Sequence, residues 1–502
     1  MIATESRPGA RVSSDPVLSL PPVPLASVLD AVPGAERRGD AVIGDVVFDS
    51  REVRPGSLFC CVPGAIDDGH AYAAAAVEAG AAALLVERWL DDVAAPQVRV
   101  PSVREAMGAV AAVVFGDPAA SLSMAGITGT NGKTTTTYLL ESIWRAAGVR
   151  PGVIGTTGAR VDGEPVPLAR TTPEAPDLHR LLARMRAAGV DGVAMEVSSH
   201  ALAQHRVGGV RFDAAAFTNL SQDHLDFHPS MEAYFAAKAS LFTPARTACA
   251  VVNLDDAWGR RLLQNPAVPT TTYGLDPGAD LRATDVSSTV EGLAFRVEDV
   301  AFRSRLRGMF NVSNCLAAVA LGRALGITLE VAAHGLAAVE GVPGRVEPIE
   351  EGQDFLVVVD YAHTPDSIRS VLQAARPLVS GRLIVVFGCG GDRDRAKRPL
   401  MGAAATSLAD LTIVTSDNPR SEDPLAIVAD IEPGAREGGG DFVVELDRRA
   451  AIGLAVERAR PGDVVVIAGK GHEPYQEIGG DTVPFDDRQV AREALVARGG
   501  GS

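Results

Sequence analysis

Cysteine is scarce in this chain: five residues, Cys60, Cys61, Cys249, Cys315 and Cys389. The number is odd and no pair has CxxC spacing, which argues against a cysteine zinc site and points to a reducing compartment, the cytoplasm. Cys389 lies in a Gly-rich loop and reads as a small buried residue. Basic residues are also in deficit. Lys and Arg number 47 against 63 Asp and Glu, a net charge of −16. Such a chain repels a phosphate backbone, so general nucleic-acid binding is excluded and any phosphate site must be local. No apolar run is long enough to span a bilayer, so no membrane insertion is expected. The N-terminus carries Glu5, Arg7 and Arg11 where a signal peptide would need an apolar stretch. Residues 1–20 read as a loose leader and residues 497–502 as a frayed tail. No internal repeat or low-complexity tract stands out.

What is present is an alternation of apolar runs and helical patterns. At 502 residues the chain exceeds a single core, which stops growing near ~250–300 residues. Three blocks emerge, 1–118, 119–344 and 345–502, with Gly341-Val342-Pro343-Gly344 as a hinge. The first is a small α/β unit, with strands at 45–48, 57–62 and 81–86 and an Ala-rich helix over 72–80. In the second, apolar strands at 123–128, 192–197, 214–218 and 250–253 alternate with helices, the first over 134–147. That pattern implies a parallel sheet covered on both faces. The third repeats the logic with strands at 355–359, 383–387, 411–415 and 463–467. Each runs straight into a polar loop: Asp360-Tyr-Ala-His-Thr-Pro365, Gly388-Cys-Gly-Gly-Asp-Arg393, Ser416-Asp-Asn-Pro-Arg420 and Gly469-Lys-Gly-His-Glu473. In a parallel sheet all four loops leave at the carboxyl edge, where open α/β sheets bind ligands.

Gly129-Thr130-Asn131-Gly132-Lys133-Thr134-Thr135 follows a strand and opens a helix. Glycines turn backbone N–H groups toward a phosphate, the helix N-terminus adds positive potential, and Lys133 supplies a full charge. The Thr134 hydroxyl can serve Mg²⁺. Strict Walker spacing asks for Gly where Ile127 stands, so this is a P-loop variant rather than the generic pattern. Glu196 ends a strand and His224 sits in a loop just past another. Taken alone, the first reads as solvated and the second as a capping or hydrogen-bonding residue. Lys238 says more. Behind Ser230, an N-cap, Met231, Tyr234, Phe235, Leu241 and Phe242 share one helical stripe with it. An ammonium pointing the way core residues point is costly unless paired, neutral or modified. The alternative is a lysine snorkelling from the stripe's edge, and spacing leaves both open.

The P-loop, Glu196-Val-Ser-Ser-His200, Asn219-Leu-Ser-Gln-Asp-His224 and Asp360-Tyr-Ala-His-Thr-Pro365 together resemble the Mur ligase family, in its motif order over nearly the whole chain. The resemblance is nearest to members that extend UDP-N-acetylmuramoyl-L-alanyl-D-glutamate with a diamino acid. It implies an α/β, three-domain architecture: an N-terminal domain for the UDP-sugar, a central P-loop sheet for ATP, and a Rossmann-like C-terminal domain for the amino acid. It matches Ser50 to a uridine-diphosphate contact, residues 65–67 to the loop near uracil, and Thr171, Thr172, Ser198, Gln204 and Arg206 to the muramoyl dipeptide. Asn314, Arg345 and Asp360 match positions that hold the nucleotide or close the domains. Read alone, Asn314 is a helix N-cap or turn and Asp360 an Asx turn. Lys238 matches a lysine carbamylated by CO₂. Glu196, His224 and that carbamate would then serve Mg²⁺ with Thr134 and the ATP phosphates.

Asp417-Asn418-Pro419-Arg420 matches the family's diaminopimelate signature. A second carboxylate at the far end of the diamino acid suits a bidentate arginine, Arg420. Arg393 can hold a further carboxylate and Glu473 an ammonium, with Gly469 at the head of the same loop. The implied reaction is ATP-dependent addition of meso-2,6-diaminopimelate through an acyl phosphate, in peptidoglycan precursor synthesis. No residue pattern sets the stereoisomer. Lys133 and Mg²⁺ would screen the meeting anions, and domain closure would keep water from the acyl phosphate. His363 is a candidate proton acceptor, against a turn-stabilising role. Competing readings are the same ligase using L-lysine, a folylpolyglutamate-type ligase, and an ATP-binding protein without chemistry. A monomer is expected.

Overall fold

The computed structural model describes residues 20–64, 67–289 and 291–499. Residues 1–19 of the expected leader, Ala65 and Ile66 of the uracil loop, and residues 500–502 of the tail lie outside them. Residues 497–499 do not fray: they end the helix Asp487–Gly499. Val490, Ala491 and Leu495 bury one stripe of that helix, which outweighs the glycine-rich ending that suggested a loose tail.

Three sheets organise the chain. In the N-terminal sheet, Gln97–Arg99, Ala83–Val86, Ser57–Cys60 and Asp45–Val47 run parallel, and Glu36–Arg38 adds an antiparallel edge. The central sheet has 11 strands. Its middle is parallel, in the order Pro151–Gly155, Gly192–Glu196, Ser123–Thr128, Phe212–Phe217, Thr247–Asn253, Thr270–Gly274. Ser123–Thr128 is buried on both faces apart from its first residue, the signature of a central parallel strand. Antiparallel hairpins extend both ends: Gly158–Val161 with Glu164–Val166, and Leu281–Thr289 with Gly292–Val297 and Val300–Ser304. The apolar runs did not announce these edges, because such strands are half exposed and carry polar residues. Leu281–Thr289, for one, buries only Leu281 and Ala283.

The C-terminal sheet has the order Glu347–Ile349, Leu356–Asp360, Val464–Ala468, Leu383–Phe387, Leu411–Val414, Phe442–Val444, parallel except at its first strand. The four polar loops therefore do leave at one edge. Apolar side chains cover both faces of this sheet and of the central one. Among the described residues, no helix is long and apolar enough to cross a membrane.

Candidate active site

Between Ser123–Thr128 and the helix Lys133–Ala146 the chain turns through Gly129 and Gly132. Gly132 has φ +86°, and a Cβ there would lie 2.2 Å from Asn314 Oδ1. A second loop braces this turn. Thr218 Oγ1 donates to Asn131 O at 2.6 Å, Asn219 Oδ1 accepts from Asn131 N–H at 2.9 Å, and Asn219 O accepts from Thr130 N–H at 2.9 Å. Thr130 Oγ1 lies 3.1 Å from the Tyr234 hydroxyl. Lys133 Nζ donates to Gly129 O and Thr130 O, both at 2.8 Å.

Lys238 arrives from the helix Met231–Ala239, whose N-cap is Ser230 as expected. It does not snorkel. It is 1% exposed, and its Nζ donates to the same Gly129 O at 2.8 Å. Burial, reinforced by the Lys133 charge, holds this amine well below the usual lysine range. Two lysine amines, Lys238 buried and Lys133 half-buried, thus converge on one carbonyl, and desolvation lowers Lys133 despite Glu196.

Glu196 is buried rather than solvated, and its carboxylate accepts from Thr156 N–H (2.9 Å) and Thr156 Oγ1 (3.0 Å). Thr156 Oγ1 is 3.1 Å from Thr171 Oγ1. Thr172 Oγ1 donates to Glu196 O (2.9 Å) and accepts from Ser198 N–H (3.2 Å). Arg206 donates to Gln204 Oε1 at 2.5 Å and to Thr172 O at 3.4 Å, and pairs with Glu174 at 3.0 Å. Thr171, Thr172, Ser198, Gln204 and Arg206 therefore form one connected group beside Glu196. Arg104 and Arg170 also pair with Glu174. Burial, with Arg170 and Arg104 opposing the Glu174 charge, brings Arg206 down to about 10. Ser50 belongs to the N-terminal domain, where it opens the turn Ser50–Glu52.

His224 has φ +56° and presents its ring edge to His200 at 4.7 Å between centroids. Its neighbour Asp223 is buried and meets two groups of the C-terminal domain, Lys397 Nζ at 3.2 Å and His363 Nε2 at 3.7 Å. Burial opposes ionisation of Asp223, yet the charges of His224, Lys397 and His363 hold it well below the usual carboxylate range. His363 Nδ1 lies 2.7 Å from Tyr361 O, a turn contact. Arg345 donates to Thr134 Oγ1 at 3.0 Å and lies over the Tyr361 ring at 4.5 Å. Asp360 forms the Asx turn expected of it, accepting from Ala362 N–H, and also accepts from Val346 N–H, both at 2.8 Å. Asn314 is not a cap. The helix Phe310–Ala324 starts four residues earlier, and Asn314 Nδ2 donates to Asn311 Oδ1 at 2.8 Å. Its buried contact with Gly132 overrides the weak helix preference of asparagine.

At the carboxyl edge of the last sheet, Asn418 Nδ2 donates to Glu473 Oε2 (3.1 Å) and Lys470 Nζ to Asn418 Oδ1 (2.8 Å). Arg420, at φ +54°, donates to Gly391 O (2.7 Å) and pairs with Glu477 (2.9 Å). A Cβ on Gly390 would sit 3.0 Å from Arg420 Nη1 and 3.7 Å from Arg393 Cγ, and one on Gly469 would sit 2.4 Å from Asp417 Oδ2. Arg393, Asp417, Asn418, Pro419, Arg420, Gly469 and Glu473 thus gather where these loops leave the sheet, the candidate amino-acid recess. The central and C-terminal domains share a seam beside these residues. His472 Nε2 is 3.4 Å from Thr156 O, and Asn131 Nδ2 donates to Asp366 Oδ2 at 3.2 Å. Among the described residues, no three His, Cys, Asp or Glu side chains form a ready cation cage.

Residues 43–114, 127–322 and 344–471 match, in turn, the family models "Mur ligase family, catalytic domain", "Mur ligase middle domain" and "Mur ligase, glutamate ligase domain". A Streptomyces avermitilis protein named UDP-N-acetylmuramoyl-L-alanyl-D-glutamate–2,6-diaminopimelate ligase is 49% identical over 488 residues, 94% of this chain and 96% of its own. The chain belongs to the Mur ligase family. A Gloeobacter violaceus protein of the same name is 50% identical over 467 residues, 91% of this chain and 95% of its own. A solved structure of a ligase of that name superposes on this Mur ligase with TM-score 0.65 at 38% identity, covering 91% of this chain and 96% of the other.

Sequence reasoning passed over several residues of this Mur ligase site. Thr156 gave no signal, since its role is to face Glu196 from a neighbouring strand end. Asp223 and Lys470 stood inside quoted motifs, and only their burial marks them out. One acid response follows from the seam of the Mur ligase. Burial, with Arg345 beside it, pushes His472 down to about 4. Its folded pKa is thus below its unfolded value, so its stabilisation is full above the ordinary histidine range and is lost as pH falls toward about 4. The Tm of His472→Phe protein is expected to fall less between neutral and mildly acidic pH than that of the wild type. Parallel curves would refute this.

Proposed function

We propose that this chain is an ADP-forming, ATP-dependent ligase that joins 2,6-diaminopimelate to UDP-N-acetylmuramoyl-L-alanyl-D-glutamate through an acyl phosphate. The observation that carries the reading is the convergence of Lys133 and Lys238 on Gly129 O. On a loop of this kind Lys133 can meet phosphate oxygens, and Lys238 stands beside it at the edge of the same site. ATP would lie along residues 129–135, with Asn314 shaping Gly132 and Arg345 and Asp360 closing from the C-terminal domain. Thr171, Thr172, Ser198, Gln204 and Arg206 would hold the muramoyl dipeptide with its terminal carboxylate toward the P-loop. Arg393, Asp417, Asn418, Arg420 and Glu473 would hold diaminopimelate with an amine directed at that carboxylate. This chain's part is positioning and charge neutralisation, as in other phosphoryl transfers.

Lys238 as a carbamate fits the same pocket. A buried amine held well below its ordinary pKa is neutral enough to attack CO₂. The N–C bond forms, one proton leaves, and an anionic oxygen replaces a neutral amine. Magnesium asks for hard oxygen donors. Glu196 and Thr134 supply them, an ammonium at Lys238 would not, and a carbamate there would, with His224 beside it. When bound, Mg²⁺ would neutralise charge on the transferring phosphoryl group.

The deciding assay supplies UDP-N-acetylmuramoyl-L-alanyl-D-glutamate, ATP, Mg²⁺ and a panel of amino acids, and weighs the product. A diaminopimelate adduct is expected, with phosphate released only when all substrates are present. An L-lysine adduct alone, or a glutamate adduct on a folate, would replace this reading. The P-loop gives a second test. Gly132→Ala places a Cβ 2.2 Å from Asn314 Oδ1 at φ +86°, where glycine is favoured. ATP affinity, read by calorimetric titration, is expected to drop about tenfold or more, equivalent to ~1.4 kcal/mol. Unchanged affinity would remove Gly132 from the nucleotide site.

A further inference from the structure

Beneath the amino-acid recess lies an ion pair fully shut off from solvent, Arg448 with Asp487, both 0% exposed at the side chain. Arg448 Nε and Nη2 meet the two Asp487 oxygens at 2.8 and 2.7 Å. The remaining reach of the guanidinium goes elsewhere. Nη1 donates to Ser416 O at 3.2 Å, and Nη2 also donates to Ala468 O at 3.0 Å. Ser416 immediately precedes Asp417–Arg420, and Ala468 immediately precedes Gly469–Glu473. One side chain thus holds the roots of both loops that line the recess.

The sheet cannot do this by itself. Val464–Ala468 and Leu411–Val414 are not neighbours, because Leu383–Phe387 runs between them. Two strand spacings, roughly 10 Å, separate them. No ladder bond links their ends directly. Local stability does not explain Arg448 either. It opens the helix Arg448–Arg458, where the helix dipole disfavours a cation, and a buried ion pair is seldom worth more than a packed apolar pair. A planar fork that reaches two carbonyls and a carboxylate at once is what only arginine offers.

We propose that Arg448, anchored by Asp487, is a positioning residue for the amino-acid substrate, fixing the spacing between the loop of Asn418 and Arg420 and the loop of Lys470 and Glu473. The inference rests on the recess being the diaminopimelate site. Arg448→Lys keeps the charge beside Asp487 but loses the fork. Its KM for diaminopimelate is expected to rise about tenfold or more, since small displacements of substrate-holding groups are costly. KM for ATP and for the UDP-linked dipeptide should stay within about twofold, and Tm within about 5 °C. An unchanged KM for diaminopimelate, or a joint rise in all three constants, overturns the proposal. In Arg448→Ala, added guanidinium ion is expected to lower the raised KM for diaminopimelate selectively, and no response would equally overturn it. Wild-type protein that ligates no diaminopimelate would defeat the reading of the recess instead, whatever Arg448 does.

Discussion

Lys238→Ala protein is expected to fold and yet to ligate about 10²–10³-fold more slowly or worse, the loss usual when one charge-stabilising group leaves a polar active site. Small carboxylates such as formate or acetate should restore part of the rate. The expectation rests on burial. At 1% exposure the Lys238 amine has no solvent to shield it, and its hydrogen-bond acceptor, Gly129 O, is shared with Lys133. Removing the side chain leaves a void beside the P-loop large enough for a small anion. Rescue by carboxylate but not by alkylamine would identify the missing group as an oxygen ligand. Normal turnover without rescue would mean that Lys238 serves only to brace the loop.

The second large effect concerns substrate choice. Arg420→Ala should cut kcat/KM for diaminopimelate by about 30-fold to 10³-fold, the cost of truncating one member of a desolvated charge contact, ~2–4 kcal/mol. L-lysine lacks the distal carboxylate, so the rate with it should change little. Backbone strain does not confuse the comparison, because arginine and alanine both carry a Cβ into the left-handed conformation that position 420 adopts. Glu477 and Gly391 O set the direction of the guanidinium, and Arg420→Lys, which keeps charge without the planar fork, should fall between the two. Equal losses with both amino acids would refute the carboxylate-clamp assignment.

Much of this architecture was legible because it depends on periodicity. Near-continuous apolar strands each running into a polar loop announced a parallel sheet with those loops at one edge, and the strand pairing of the last sheet bears that out. The helical stripe put Lys238 on the core side but left snorkelling open, and only the burial of its side chain decides between the two. The edge hairpins of the central sheet escaped notice because half-exposed strands carry no apolar run. Asn314 misled, since asparagine near a helix start usually caps it, whereas here a buried contact with Gly132 decides. Arg448 was invisible for a plainer reason. An arginine opening a helix reads as a solvated charge, and only three-dimensional placement reveals that it sits against two carbonyls and Asp487.

The seam between Thr134 and Arg345 joins positions 211 residues apart. A nascent chain on the ribosome therefore finishes its P-loop long before the guanidinium that meets it exists. Until the final third has folded, Asp223 also waits for Lys397 and His363, so its carboxylate stays hydrated. The enzyme is thus assembled last at the place proposed for its chemistry, and a prematurely terminated copy would carry the glycine-rich loop without the C-terminal groups that meet it.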